Sequence, residues 1–243
     1  MKVIPVIDIL NGIAVHAVRG KRSEYQPLQS VLCDSVDPLE VAKTFKTLGF
    51  TELYVADLDA IIDCSMNFQP LKRIADETGL KLMVDAGVTS LERARLLLES
   101  GVSKLVIGTE TLESEGFVGE AVRTFGSERV VVSLDLKGDA VIVKPEFEGC
   151  REAIGLLRNF RDMGASQVIV LDLARVGSGE GVNVDFLNRL KDTAPMDVYV
   201  GGGVRGIDDL EELTNTGISG VLVATALHSG KITLAELKQK RLV

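Results

Sequence analysis

Two distant stretches of this chain lie on one another without a gap. Val84-Asp85-Ala86-Gly87-Val88 aligns with Val200-Gly201-Gly202-Gly203-Val204, and the same offset carries Gly101 onto Gly217, Ser103 onto Ser219 and Thr109 onto Thr225. An offset one residue shorter carries Val55-Ala56-Asp57-Leu58 onto Val170-Leu171-Asp172-Leu173. A longer offset, of 127 residues, carries Asp8 onto Asp135, each followed by a turn and a further β-rich piece. A chain that repeats itself at this scale uses one supersecondary plan twice.

The repeated unit shows in the apolar runs. Lys2 to Ile9 and Leu53 to Ala56 read as strands, as do runs centred on Leu82–Val84, Leu105–Ile107, Val130–Leu134, Val168–Leu171, Val198–Val200 and Val221–Val223. Runs of Val, Ile and Leu this short are buried on both faces, as in a parallel sheet. The segments between them have helix length, and many close near a glycine: Gly79, Gly101, Gly126, Gly164 and Gly217. Asp37-Pro38-Leu39-Glu40 is a helix start, with Asp37 as N-cap and Pro38 in the first turn, and Gly49 ends that helix. Eight βα units in 243 residues have the size of a (β/α)8 barrel, here two fused half-barrels in one domain over residues 1–243. A doubly wound open sheet shares the alternation, but the internal repeat speaks against it.

A net charge of −8 excludes a protein that holds nucleic acid by its basic surface. It leaves small phosphorylated ligands open, since a local pocket can hold them. The N-terminal MKVIPVIDIL lacks the basic and apolar regions of a signal peptide, and no run reaches the length of a membrane span, so the expected compartment is the cytoplasm. Cys33, Cys64 and Cys150 are too dispersed for a disulfide framework or zinc site, and His16 and His228 have no metal-ligand spacing. No metal and no cofactor are expected, and the oligomeric state is left open.

In such a barrel the chemistry sits at the C-terminal strand ends. Asp8, Asp57, Asp85, Asp135 and Asp172 all fall there. A carboxylate closing an apolar run is desolvated at a cost, so it has either a partner or a task. Asp8 and Asp135, related by the half-barrel repeat, would face one another across the mouth as an acid–base pair. Asp57 and Asp172 fit a structural or orienting role equally well. The stretch Asp197 to Gly230 reads as strand, glycine turn, helix, strand and small-residue turn. Bare N–H groups beside helix N-termini suit a phosphate, although glycines also simply make tight turns. Gly177-Ser178-Gly179-Glu180-Gly181 is a loop able to close over the mouth, or a plain flexible connection. Arg19, Lys21 and Arg22 are candidates for closing over an anion, or form a solvated basic loop.

Ile4-Pro5-Val6-Ile7-Asp8, Val132-Ser133-Leu134-Asp135-Leu136-Lys137-Gly138, Gly201-Gly202-Gly203-Val204 and Gly220-Val221-Leu222-Val223 resemble the HisA family, with the related cyclase subunit as a sister family. The resemblance runs nearly end to end and includes Asp37-Pro38-Leu39-Glu40-Val41-Ala42 and Asp57-Leu58-Asp59. It implies a cofactor-free Amadori rearrangement of an aminoaldose to an aminoketose in histidine biosynthesis. It also implies phosphate sites after strands three and four and after strands seven and eight. Asp8 matches the catalytic base, and Asp135 matches the strand-five aspartate.

Three departures stand out. Val176-Gly177-Ser178 replaces the Asp-Gly-Thr whose aspartate is the family's general acid. Asp85-Ala86-Gly87-Val88-Thr89 replaces a glycine-rich turn followed by Ile-Arg, so the strand-three site should repel a phosphate. The strand-five Trp is missing, and Lys144-Pro145-Glu146 occupies its region. These features are similar to those of divergent paralogues of methanogens and methylotrophs, some associated with tetrahydromethanopterin-type cofactor synthesis.

The expected ligand therefore carries one phosphate, bound by Gly202, Gly203, Ala224 and Thr225, and a neutral or cationic end near Asp85. Asp85, Gly87, Gly108, Thr109, Asp172, Ser178 and Arg19 are expected to line the substrate pocket. Three functions compete: an isomerase of phosphoribosyl or other phosphosugar substrates, an enzyme of C1-cofactor synthesis on a mono-phosphorylated or pterin-like substrate, and a non-enzymatic phosphometabolite binder.

Overall fold

The computed structural model describes residues 1–63, 68–191, 193 and 195–243; Cys64 lies outside them. The strands of the barrel are Lys2–Leu10 (β1), Glu52–Asp57 (β2), Lys81–Asp85 (β3), Lys104–Gly108 (β4), Val130–Lys137 (β5), Gln167–Asp172 (β6), Asp197–Gly201 (β7) and Gly220–Val223 (β8). Each pairs in parallel with the next, from Val6 beside Tyr54 round to Val200 beside Val221. β8 then returns to β1 through Lys2–Gly220 to Pro5–Val223 and closes the ring. The expected eight-stranded (β/α)8 barrel is thus present. In this ring β1 stands opposite β5 and β3 opposite β7, which is the relation the sequence repeat required.

Alternation along each strand decides what faces inward. Ile4, Tyr54, Ala56, Met83, Val106, Val131, Ile169, Tyr199 and Leu222 fill the barrel interior. A larger apolar shell, including Val3, Ile7, Leu53, Val55, Leu82 and Val84, packs between strands and helices. The interior register continues upward to Asp8, Asp85 and Asp135. Asp57 and Asp172 fall on the other parity and face the helices.

The helices begin where local chemistry directs. Pro38–Leu48 is capped by Asp37, whose carboxylate accepts the Leu39 N–H at 2.9 Å, and Gly49 at φ 105° ends it. Such a cap stabilises by about 1 kcal/mol. In the β7–β8 connection the helix is Ile207–Asn215, so Leu210 and Leu213 lie on it and Ile218 lies beyond it. Among the described residues no helix is long and apolar enough to cross a membrane.

Two extra pieces shape the mouth. Ile13–His16 folds back on β1 as a hairpin, and Asp59 fixes its turn by accepting the Asn11 and Gly12 N–H groups at 2.7 and 2.9 Å. The chain then crosses the mouth from Ala17 to Tyr25. Arg19 pairs with Glu180 after β6 at 2.6 Å, and Arg22 with Glu110 after β4 at 2.8 Å.

Candidate active site

At the C-terminal ends of the strands lies a cleft enclosing about 1240 Å³, its open mouth included. That is ample for a small metabolite. The β1 loop contributes Ala17, Gly20, Arg22 and Tyr25 to its wall, and the β6 loop contributes Val176 to Gly179.

Asp8 and Asp135 enter this cleft from opposite strands. Asp8 is half-buried, and no described residue hydrogen-bonds its carboxylate. Burial pushes it up to about 7. Asp135 is 3% exposed and held rigidly. Ser133 Oγ donates to its Oδ1 at 2.7 Å, while the Glu110 N–H and Thr109 Oγ1 reach its Oδ2 at 3.0 and 3.4 Å. Burial still raises it to about 6, since those donors only partly replace water. Two carboxyls with affinities this close to neutrality suit proton transfer at cellular pH.

Asp85 is 9% exposed and accepts the Gly87 N–H at 3.1 Å through Oδ1. Burial first, and the Asp135 charge second, push it up to about 7. A methyl group added at Gly108 would lie 2.9 Å from Asp135 Oδ2 and 3.1 Å from Asp85 Oδ2. The two oxygens are therefore within about 6 Å, close enough for each charge to oppose the other. Tyr54, 3% exposed, stands in the same place. Burial, then the charges of Asp85, Asp135 and Asp8, hold its phenol well above the usual range.

The opposite side is built of backbone. Gly202 and Gly203 have φ of 95° and 91°, and a side chain on either would overlap the Asp172 or Gly181 carbonyl. Gly202, Gly203, Ala224 and Thr225 all line the cleft, as does Ser178. Lys231 joins them from beyond β8 and, among the described residues, is the cation lining this side of the cleft. His16 Nε2 lies 3.5 Å from Thr225 Oγ1. Burial depresses both histidines, His228 to about 4, and His228 is committed to Ser30 at 2.9 Å and to packing on Phe45.

The remaining expected pocket residues do not line the cleft. Gly87, at φ 63°, lets the β3 turn approach Ile61, where a side chain would meet Ile61 Cα at 3.1 Å. Gly108 leaves room for Asp85 and Asp135, and Thr109 is buried behind Asp135. Asp172 faces outward, pairing with Arg175 at 3.0 Å and accepting the Ala174 N–H at 3.1 Å. Arg19 is turned to Glu180 and Lys21 to Glu24, so of the three basic loop residues only Arg22 reaches the cleft. Asp57 caps its own helix through the Ala60 N–H at 3.0 Å.

Tyr54, Glu110 and Lys231 were not singled out from sequence. Tyr54 lay in plain sight, three residues before the outward-facing strand end Asp57 and so on the inward parity. Lys231 had no signal, because it reaches the cleft from beyond the last strand.

Residues 2–233 match the family model described as histidine biosynthesis protein. The chain is 37% identical over 243 residues to an uncharacterized protein of Methanocaldococcus jannaschii, covering 99% of each. It is 30% identical over 240 residues to the 1-(5-phosphoribosyl)-5-((5-phosphoribosylamino)methylideneamino)imidazole-4-carboxamide isomerase of Alkaliphilus metalliredigens, covering 98% of each. The enzyme of the same name from Methanosarcina barkeri is 32% identical over 238 residues, with 96% of this chain and 95% of the relative covered. Barrel, strand-end aspartates and end-to-end similarity agree: the chain belongs to the histidine biosynthesis protein family, within the HisA and HisF superfamily.

Proposed function

We propose that this chain is an isomerase of the HisA type that moves protons on a phosphosugar-type substrate by acid–base chemistry. The observation that carries the reading is the pair Asp8 and Asp135, set on opposite strands of one cleft with both carboxyls raised toward neutrality. In an Amadori rearrangement an acid protonates the ring oxygen of the aminoaldose, and the C1–O bond opens to an iminium. A base then removes the C2 proton, and the resulting enolamine tautomerises to the aminoketose. Asp8, whose carboxylate no described residue hydrogen-bonds, is the base. Asp135 is the acid, in place of the side chain that Val176 does not supply. The phosphate rests on the β7 and β8 turns beside Lys231.

The acidic β3 end favours a second reading of the substrate. Asp85 stands where a second phosphate would otherwise sit, and a buried carboxylate repels that group. A mono-phosphorylated substrate, such as an intermediate of C1-cofactor synthesis, fits this end better than a ligand with phosphates at both ends. A passive binder of an anion gains nothing from two desolvated carboxylates. The deciding experiment is turnover of the histidine-pathway ribotide by the purified protein, with Asp8→Asn beside it. Turnover that disappears in the variant supports the ribotide reading. No turnover by folded protein refutes that substrate and leaves the mono-phosphorylated one.

A further inference from the structure

Along the cleft the charge changes sign. One side offers the bare turns at Gly202–Gly203 and Ala224–Thr225 together with Lys231, and the other offers Asp85, Asp135 and Glu110. Of the cations that line the cleft among the described residues, Arg22 is spent on Glu110 through both carboxylate oxygens at 2.8 Å, and Lys231 belongs to the far side. Asp85 and Asp135 therefore face each other with no side-chain cation between them. Asp85 Oδ1 is occupied by the Gly87 N–H, while its Oδ2 points at the space beside Gly108, opposite Asp135 Oδ2.

A second observation is independent of the acids. The Tyr54 side chain is 3% exposed and lines the cleft, yet no described residue hydrogen-bonds its hydroxyl. The hydroxyl opens on the cleft from an otherwise buried side chain, so a ligand or water, not the protein, completes its hydrogen bonding. Tyr54 lies in the barrel interior, and the charges of Asp85, Asp135, Asp8 and Glu110 act on it. Two carboxylate oxygens and a phenolic oxygen thus line one end of the cleft. That set of acceptors matches a group with several N–H donors and a positive charge. Among the described residues no cluster of acidic, histidine or cysteine side chains is arranged to hold a metal ion, so an organic cation is the better match.

We propose that Asp85 and Tyr54, beside Asp135, form a subsite for a primary ammonium group, and that the substrate is a phosphorylated amine spanning the cleft. The phosphate end of this proposal rests on the reading of the β7 and β8 turns given above; the ammonium end does not. Bound there, the ammonium donates to Asp85 Oδ2 and the Tyr54 hydroxyl oxygen, while Asp135, whose oxygens already accept from Ser133 and the Glu110 N–H, keeps its proton-transfer role. Its charge offsets the repulsion between the two carboxylates. A ligand ending in phosphate or carboxylate at this side is rejected by the same groups.

The test is calorimetric titration of the whole protein with ω-aminoalkyl phosphates of increasing chain length, the alkyl phosphates of equal length, and the corresponding alkylamines. At the best length the aminoalkyl phosphate should bind at least about tenfold more tightly than its amine-free partner, the scale of one hydrogen-bonded charge. Asp85→Asn should erase that advantage while leaving alkyl phosphate affinity unchanged, and Tyr54→Phe should reduce it in part. Thermal melts of both variants establish that they are folded. Equal affinity for aminoalkyl and alkyl phosphates in the wild type overturns the ammonium subsite and leaves the phosphate reading intact. Alkylamine binding that depends on Asp85, with no alkyl phosphate binding, supports the subsite and refutes the phosphate reading. No binding by any of the three series overturns both.

Discussion

Asp85 is an expensive residue, and Asp85→Asn measures the expense. Its carboxyl is held near 7 against an ordinary 3.8, so in the folded protein it keeps a proton that the unfolded chain has already released. Between those values the folded state binds more protons than the unfolded state, and stability falls as pH rises. A displacement of about three units at about 1.4 kcal/mol each costs the wild type about 4 kcal/mol once pH exceeds 7. Asparagine has no charge to desolvate. Its Oδ1 still accepts the Gly87 N–H, and its amide can donate toward Asp135 Oδ2. The variant should therefore be more stable than wild type by about 2–4 kcal/mol at pH 8.5. In a chain of this length that raises the melting temperature by very roughly 4–16 °C. At pH 4.5 the wild-type carboxyl is protonated when folded and mostly ionised when unfolded, and the gain should shrink to about 1 kcal/mol. Thermal melts of both proteins at the two pH values decide the matter. A variant equal to or less stable than wild type at pH 8.5, or a gain that does not shrink on acidification, would refute the claim that Asp85 is an uncompensated buried carboxyl.

Asp8→Asn should lower kcat by about a thousandfold or more, as loss of a general base does, while the affinity for alkyl phosphates changes little. The pH profile of kcat should be bell-shaped with its maximum between about 6 and 7, where the working form, Asp8 ionised and Asp135 protonated, is the minority one-proton form of the pair; the flanks report on the pair together. Gly203→Ala combines a φ of 91° with an overlap on the Gly181 carbonyl, and should reduce alkyl phosphate affinity by at least about tenfold. Gly138→Ala, at φ 65° with open space around it, serves as the control for backbone strain alone and should leave affinity unchanged. Arg22→Ala removes a pair whose side chains are about a third exposed, so it should shift stability by less than about 1 kcal/mol in a thermal melt.

The barrel was legible because its strands are almost purely apolar and the two halves repeat. Asp8 and Asp135 were legible for the same reason, since their strands carry each other's pattern. The pocket lining was less so, and strand parity explains most of the difference. Along β6 the inward residues are Ile169 and Leu171, so Asp172 must face a helix; along β2 they are Tyr54 and Ala56, so Asp57 must as well. Reading every strand-end aspartate as a mouth residue ignored this alternation. Gly87, Gly108 and Thr109 sit one layer behind the surface they were expected to form, supporting Asp85 and Asp135 instead. Arg19 turned outward because Glu180, on a loop 161 residues away in sequence, offers it a partner. No local pattern encodes a contact of that kind.

The repeat that places Asp85 opposite Gly201 also gives the cleft a direction. Two equivalent half-barrels would present the same end twice, and a ligand with matching termini could enter either way round. Here one half ends in a carboxylate and its counterpart in a bare glycine. On the proposed reading, a substrate entering backwards would meet repulsion at both ends at once, and only one orientation would present its reacting carbon to Asp8. A single broken correspondence between the halves thus turns a symmetric vessel into one that distinguishes head from tail.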